Sequence, residues 1–271
     1  MNQNIGIERT KVIKLILIFV ISTYLVSCVG YYIWFHNNME VAVFLPIIAP
    51  FASYIVVKRF LDKKDRIHYK KVSAKGIQTG MLIPIIYISI AVLLSIVFRT
   101  ASFNGNLPAG KTVVLLFVQW VFAGFCEETG WRGFLLPMLK KIMKTEIACI
   151  VCGLIWGIWH IPMIVQGMMV TQHSPFLAVI LFSAETIFIT FIMGSISECS
   201  MGSSIWTYVI LHAFHNLVLQ IALPMLSEEG RYLVDDGGYL LVALIGITAV
   251  ITWKLMKDNE KYKELPSRKR Q

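Results

Sequence analysis

Charge is scarce in this chain. Asp, Glu, Lys and Arg together make up 15% of its 271 residues, against about a quarter in an ordinary soluble protein. The hydrophobic set takes 56%, and the mean hydropathy is +0.68. That balance excludes a disordered chain, which is poor in apolar residues and rich in charge, and it argues against a water-soluble globular enzyme. Cysteine is sparse too. Cys28, Cys126, Cys149, Cys152 and Cys199 lie in or beside apolar segments and imply no disulfide framework. Cys149 and Cys152 have a short metal-like or redox-like spacing, but inside an apolar helix they read as small packing residues. The chain also lacks an internal repeat, a low-complexity stretch and any polar segment large enough to fold alone. Residues 1–271 therefore read as a single transmembrane domain.

What is abundant is long apolar runs. They predict an all-α, polytopic membrane protein with about eight transmembrane helices, over 12–35, 41–57, 80–98, 112–138, 146–167, 176–194, 204–225 and 238–255. The first run has no small-residue cleavage site and reads as a retained span rather than a signal peptide. The second contains Pro46 and Pro50, which predict a kink. The formal charge of +9 would suggest nucleic acid on a soluble face. Here the basic residues sit in loops, so the expected partner is the bilayer and no nucleic acid is implied. With the N-terminus inside and eight crossings, 21 Lys and Arg fall on the inner side and three, Arg99, Lys111 and Arg231, on the outer side. The bias predicts a multi-pass protein of the cell membrane with both termini cytoplasmic. The basic loop 58–79 is expected to be amphipathic or to lie on the membrane surface, near anionic headgroups.

Ionisable groups inside apolar spans are costly and mark function. The fourth run reads F-A-G-F-C-E-E-T-G-W-R-G-F-L-L-P. Glu128 and Arg132 are four apart and share a helical face where they can pair. Glu127 points about 100° away and is left to face a wet cavity as a general base. In the fifth run, Trp156 and His160 are four apart, so the indole can pack on the imidazole and orient it. Pro162, just beyond, frees backbone groups near the histidine. In the seventh, L-H-A-F-H-N puts His212 and Asn216 on one face as possible oxyanion donors, with His215 as polar glue between helices or an accessory residue. Counting from the inner helix ends, Glu127, His160, His212 and Asn216 all lie about 12–21 Å deep. That convergence predicts one shared intramembrane polar site.

These three motifs resemble the family of CAAX proteases and bacteriocin-processing enzymes (CPBP), which also includes the Abi-type membrane proteins. The resemblance covers about 112–225, the expected catalytic core. Its pattern is E-E-x-x-x-R, then an aromatic separated by three residues from a His, then H-x-x-x-N. Glu127, Glu128 and Arg132, then Trp156 and His160, then His212 and Asn216 fill it in order. Trp156 stands where eukaryotic members more often have Phe. The resemblance implies an intramembrane endopeptidase on an eight-helix core. Glu127 and His160 would activate water, His212 and Asn216 would hold the oxyanion, and Glu128 and Arg132 would support the site. Members were long described as metalloproteases, and Glu127, His160 and His212 could supply three zinc ligands. No H-E-x-x-H is present, and the reading adopted requires no cofactor, with a divalent metal such as zinc as the alternative.

The short loops and the lack of targeting signals suggest a bacterial source, where prenylated CAAX proteins are generally absent. The expected substrate is thus a membrane-associated peptide or protein, such as a pheromone, a bacteriocin precursor or a CAAX-like tail. Two other readings are a non-enzymatic scaffold or self-immunity protein that regulates a partner, and a small proton-coupled transporter. The intact motifs weigh against the scaffold, and the absence of repeated halves against the transporter. Glu185, alone in the sixth run, is the best residue for transport; otherwise it reads as a packing or cavity-lining group.

Overall fold

In lipid, every backbone polar group must be satisfied within the protein, so long apolar runs can only fold as helices or closed barrels. The computed structural model shows helices. It describes residues 2–37, 39–67, 71–170, 172–198 and 204–264, so Cys199 lies outside the described residues. Among these, one isolated bridge between Phe103 and Leu226 is the only extended pairing.

Eight main helices follow in chain order among the described residues. They are α1 (Asn2–Asn37), α2 (Phe44–Lys58), α3 (Ala74–Val97), α4 (Gly110–Gly130), α5 (Thr145–Trp159), α6 (Pro175–Glu198), α7 (Ile205–Ala222) and α8 (Tyr239–Glu264). Past Gly130, α4 continues through a π-helical turn, Trp131–Leu135, into Leu136–Lys140. Pro137 lacks an N–H, which removes a rung of the helical ladder there and favours the wider turn. Short helices at Ile161–Val165 and Glu228–Val234 follow α5 and precede α8. The described part of the basic loop 58–79 makes one 3₁₀ turn, Lys63–Asp65, held by an ion pair from Lys141 to Asp65 at 2.6 Å; residues 68–70 of that loop lie outside the described residues.

Among the described residues, seven segments are long and apolar enough to cross a membrane. The exception is the expected span over 146–167. There α5 is only 15 residues long and ends at Trp159, with His160 as its C-terminal cap and a second short helix beyond. Pro162 is the cause, because the ring cannot donate to the ladder and clashes with the preceding turn.

The helices close into a ring. Neighbours run α1, α2, α4, α7, α3, α8, α6 and α5, and α5 returns to the Leu136–Lys140 end of α4. Hydrogen bonds also seal α1 to α5: Tyr24 Oη donates to the Ile155 carbonyl at 2.6 Å, and Trp159 Nε1 donates to Ser27 Oγ at 2.7 Å. A large share of the apolar surface, Leu25, Val97, Leu115 and Val250 among it, points outward. Only a lipid surround makes that arrangement favourable. Cys149 and Cys152 are buried within the packing and are not disulfide-bonded.

At the contact of α5 with α6 the backbones touch, because Gly153 and Gly157 have no side chains. A Cβ on Gly153 would lie 2.5 Å from Ile187 Cα. Gly153→Ala should therefore force the helices apart and cost about 1–3 kcal/mol. Gly110→Ala, at a position with nothing within 4 Å, should leave stability unchanged or raise it slightly. Thermal unfolding of both variants in the same detergent checks the contrast.

Candidate active site

The ring encloses a cavity of about 400 Å³ lined by Glu127, Trp156, His160, His212 and Asn216 among others. The structure thus brings all four expected catalytic residues, from three helices, to one space. Glu128 and Arg132 stand behind them, buried at 0% and 4% exposure.

The helix geometry of α4 divides the two carboxylates as their spacing suggested. Arg132 Nη1 donates to Glu128 Oε1 at 3.1 Å. The same oxygen lies 2.8 Å from His212 Nδ1, on α7. A carboxylate can only accept, so Nδ1 carries the hydrogen and Nε2 is the nitrogen left for the cavity. The Arg132 guanidinium also donates through Nη2 to Thr190 Oγ1 on α6 at 3.2 Å, and lies over the Trp156 ring at 3.9 Å. One buried ion pair therefore ties α4 to α5, α6 and α7. Nothing in the sequence singles out Thr190; a threonine in an apolar span gives no sign of which helix it faces.

Glu127, a residue earlier, turns to the cavity side. Trp156 Nε1 donates to its Oε2 at 2.9 Å, and the other oxygen has no hydrogen-bond partner among the described residues. The Trp156 indole also packs against His160, as its four-residue spacing led us to expect. The two rings meet edge-on with centroids 6.0 Å apart, while the indole N–H serves Glu127. The backbone orients His160 as well. At the end of α5 the His160 N–H donates to Gly157, three residues back. This leaves the Trp156 carbonyl to accept from His160 Nδ1 at 2.9 Å. That bond fixes the tautomer and leaves Nε2 with its lone pair. Trp159 at 4.6 Å and Phe182 at 4.8 Å, both edge-on, hold the ring in place. Asn216, one turn beyond His212, is half-buried, and its side chain makes no hydrogen bond to a described residue.

A second polar group lines the same cavity. It joins Glu185 of α6, His215 of α7 and Asp236 of the turn before α8. The sequence marks Glu185 and His215 separately, without a partner for either; Asp236, between two apolar runs, carries no mark beyond its charge. Among the described residues this is the one set of three whose ligand atoms lie within 4.8 Å of one another. Among the described residues, Glu127, His160 and His212, the zinc alternative, are not gathered to that extent.

Residues 109–218 match the protein family described as type II CAAX prenyl endopeptidase, Rce1-like. All the motif residues fall inside that match. Over that stretch, less than half of its length, the chain is similar to CAAX proteases. A 158-residue alignment with CAAX prenyl protease 2 of Methanococcus maripaludis is 28% identical; it covers 52% of this chain and 58% of that protein. The chain thus spans somewhat more than half the length of this curated relative.

The buried pair behind the cavity sets a clear expectation for stability. Arg132→Met leaves the Glu128 carboxylate buried without its cation and should destabilise the protein by about 3–5 kcal/mol. Adding Glu128→Gln removes the stranded charge while keeping an acceptor for His212, and should restore most of that loss. Denaturation midpoints of the single and double variants in detergent measure both.

Proposed function

We propose that this protein is an intramembrane endopeptidase of the CAAX-protease kind and of the glutamate type, acting on a membrane-associated peptide or protein. The observation that carries the reading is the pairing of two bases at one cavity. Glu127 has one oxygen fixed by Trp156 and the other without a partner among the described residues, and His160 has Nδ1 spent on a backbone carbonyl so that Nε2 keeps its lone pair. Water held between them loses a proton to this pair as its oxygen attacks the peptide carbonyl. The negative charge that develops on the carbonyl oxygen is met by the Asn216 amide and by the edge of the His212 ring, whose Nδ1 is held by Glu128 so that Nε2 faces the cavity. Collapse of the tetrahedral intermediate breaks the C–N bond, and the proton first taken from water passes to the leaving amine. Glu128, Arg132 and Trp156 are positioning residues that act through His212 and Glu127.

The role does not call for a metal at Glu127. The bias of 21 inner to three outer basic residues supports cytoplasmic termini in the cell membrane. The named relative is a CAAX prenyl protease; for this chain we favour a pheromone, a bacteriocin precursor or another membrane-bound tail, because its short loops point to a bacterial source. A self-immunity role would use the same residues.

The test compares membrane-associated peptides from cells that carry the wild type, Glu127→Gln or His160→Ala. A C-terminus present only with the wild type names the substrate. On that substrate both variants should be inactive, and Asn216→Ala should be slower by about 10²–10³. Wild-type turnover by Glu127→Gln would sink the catalytic assignment.

A further inference from the structure

We infer that Glu185, His215 and Asp236 form a binding site for one divalent transition-metal ion of the zinc class, separate from Glu127. The inference goes beyond the protease reading and does not depend on it.

The distances speak for a cation between these groups better than for a proton. His215 Nε2 lies 3.3 Å from Asp236 Oδ1 and 3.4 Å from Glu185 Oε1. A charge-assisted N–H···O⁻ bond is about 2.7–2.9 Å long, and one hydrogen on Nε2 cannot point at both oxygens. Ligands bound about 2.0–2.2 Å from a tetrahedral zinc lie about 3.3–3.5 Å from one another. Both separations fall on that edge length. Glu185 is fully buried, and its Oε1 has no hydrogen-bond partner among the described residues. Neither carboxylate pairs with a Lys or Arg among the described residues. Two carboxylates and one imidazole converge in this mostly buried pocket, a donor set that a divalent ion would bridge.

Each of the three residues is also held from behind, as ligands usually are. His215 Nδ1 is 2.7 Å from Tyr87 Oη, so with the metal on Nε2 the imidazole donates from Nδ1 to the phenol oxygen. Glu185 Oε2 accepts the Gly237 N–H at 2.7 Å. The Asp236 backbone is fixed on both sides: its N–H donates to Asp235 Oδ1 at 2.8 Å, and its carbonyl accepts from Gln172 Nε2 at 3.3 Å. One nitrogen and two carboxylate oxygens suit Zn²⁺, Mn²⁺ or Fe²⁺. The ion would pin α6, α7 and the turn before α8 together beside the cavity.

The full chain in detergent, stripped with a chelator, is titrated with Zn²⁺ and with Co²⁺. Bound metal is measured by elemental analysis, and the Co²⁺ site by its visible absorption. Wild type and Glu127→Ala should each bind one equivalent with the same spectrum. Glu185→Gln and Asp236→Asn should bind at least tenfold more weakly, and Tyr87→Phe about 10–100-fold more weakly. Asp236→Asn, an isosteric change in a turn, keeps the test valid if Glu185→Gln does not fold. No stoichiometric binding to the folded wild type would overturn the site. So would metal that survives both ligand variants and is lost with Glu127→Ala. Metal content is read without any cleavage assay, so a failure here leaves the protease reading intact, and the reverse holds as well.

Discussion

The ion pair between Glu128 and Arg132 joins two side chains that solvent scarcely reaches, and four helices depend on it. Both charges come from α4, but their remaining bonds run outward. Arg132 reaches Thr190 on α6 and covers the Trp156 ring on α5, while Glu128 holds His212 on α7. Taking such a pair out of water costs several kcal/mol per ion, which the mutual attraction offsets only with good geometry and further hydrogen bonds. Satisfaction here is incomplete, since Glu128 Oε2 and Arg132 Nε are buried without hydrogen-bond partners. A pair of this kind is a weak source of stability. What it supplies is a fixed register: His212 can face the cavity through Nε2 only while Nδ1 is committed to Glu128, and Trp156 can serve Glu127 only while its ring is held under the guanidinium.

Much of this is legible in the sequence because membranes make polar residues conspicuous. The all-helical architecture follows from apolar run length, and the pairing of Glu128 with Arg132 follows from a four-residue spacing. The break after α5 is visible in Pro162, though not its consequence, which is that the Trp156 carbonyl becomes the acceptor that fixes His160. The bond from Trp156 to Glu127 escapes the sequence for a related reason. Helical spacing reveals neighbours on one helix, and so it suggests His160; the indole N–H crosses to α4, a contact that no single-helix pattern encodes.

Other features are hidden for separate physical reasons. The π turn over Trp131–Leu135 has only Pro137 as a signal, and a proline near a helix end is compatible with several geometries. Thr190 is one of several threonines in apolar segments, and like Thr186, Thr248 and Thr252 it bonds back to its own helix, donating to the Thr186 carbonyl at 2.7 Å. Its hydroxyl oxygen remains free to accept from Arg132, so one residue serves both. Asp236 reads as a loop charge. Loop acids carry little topological weight, and only the packing of the turn before α8 against α6 and α7 brings this one to the cavity.

The two polar groups in the cavity are separated by the geometry of α7. His212 and His215 are three residues apart, which turns their side chains through about 300°, or 60° the other way. Both therefore fall on the cavity side of the helix while aiming at different walls. His212 meets the acid of α4, and His215 meets the acid of α6 and the turn before α8. A spacing of four would have stacked both imidazoles over the Glu128 side and left Glu185 with no nitrogen to face. Asn216, at the four-residue position, keeps the His212 face and carries an uncharged amide. One turn of helix thus assigns an imidazole and an amide to the side of Glu127 and the other imidazole to a second, more acidic wall, so that water and a cation can be held in the same cavity without competing for one ligand.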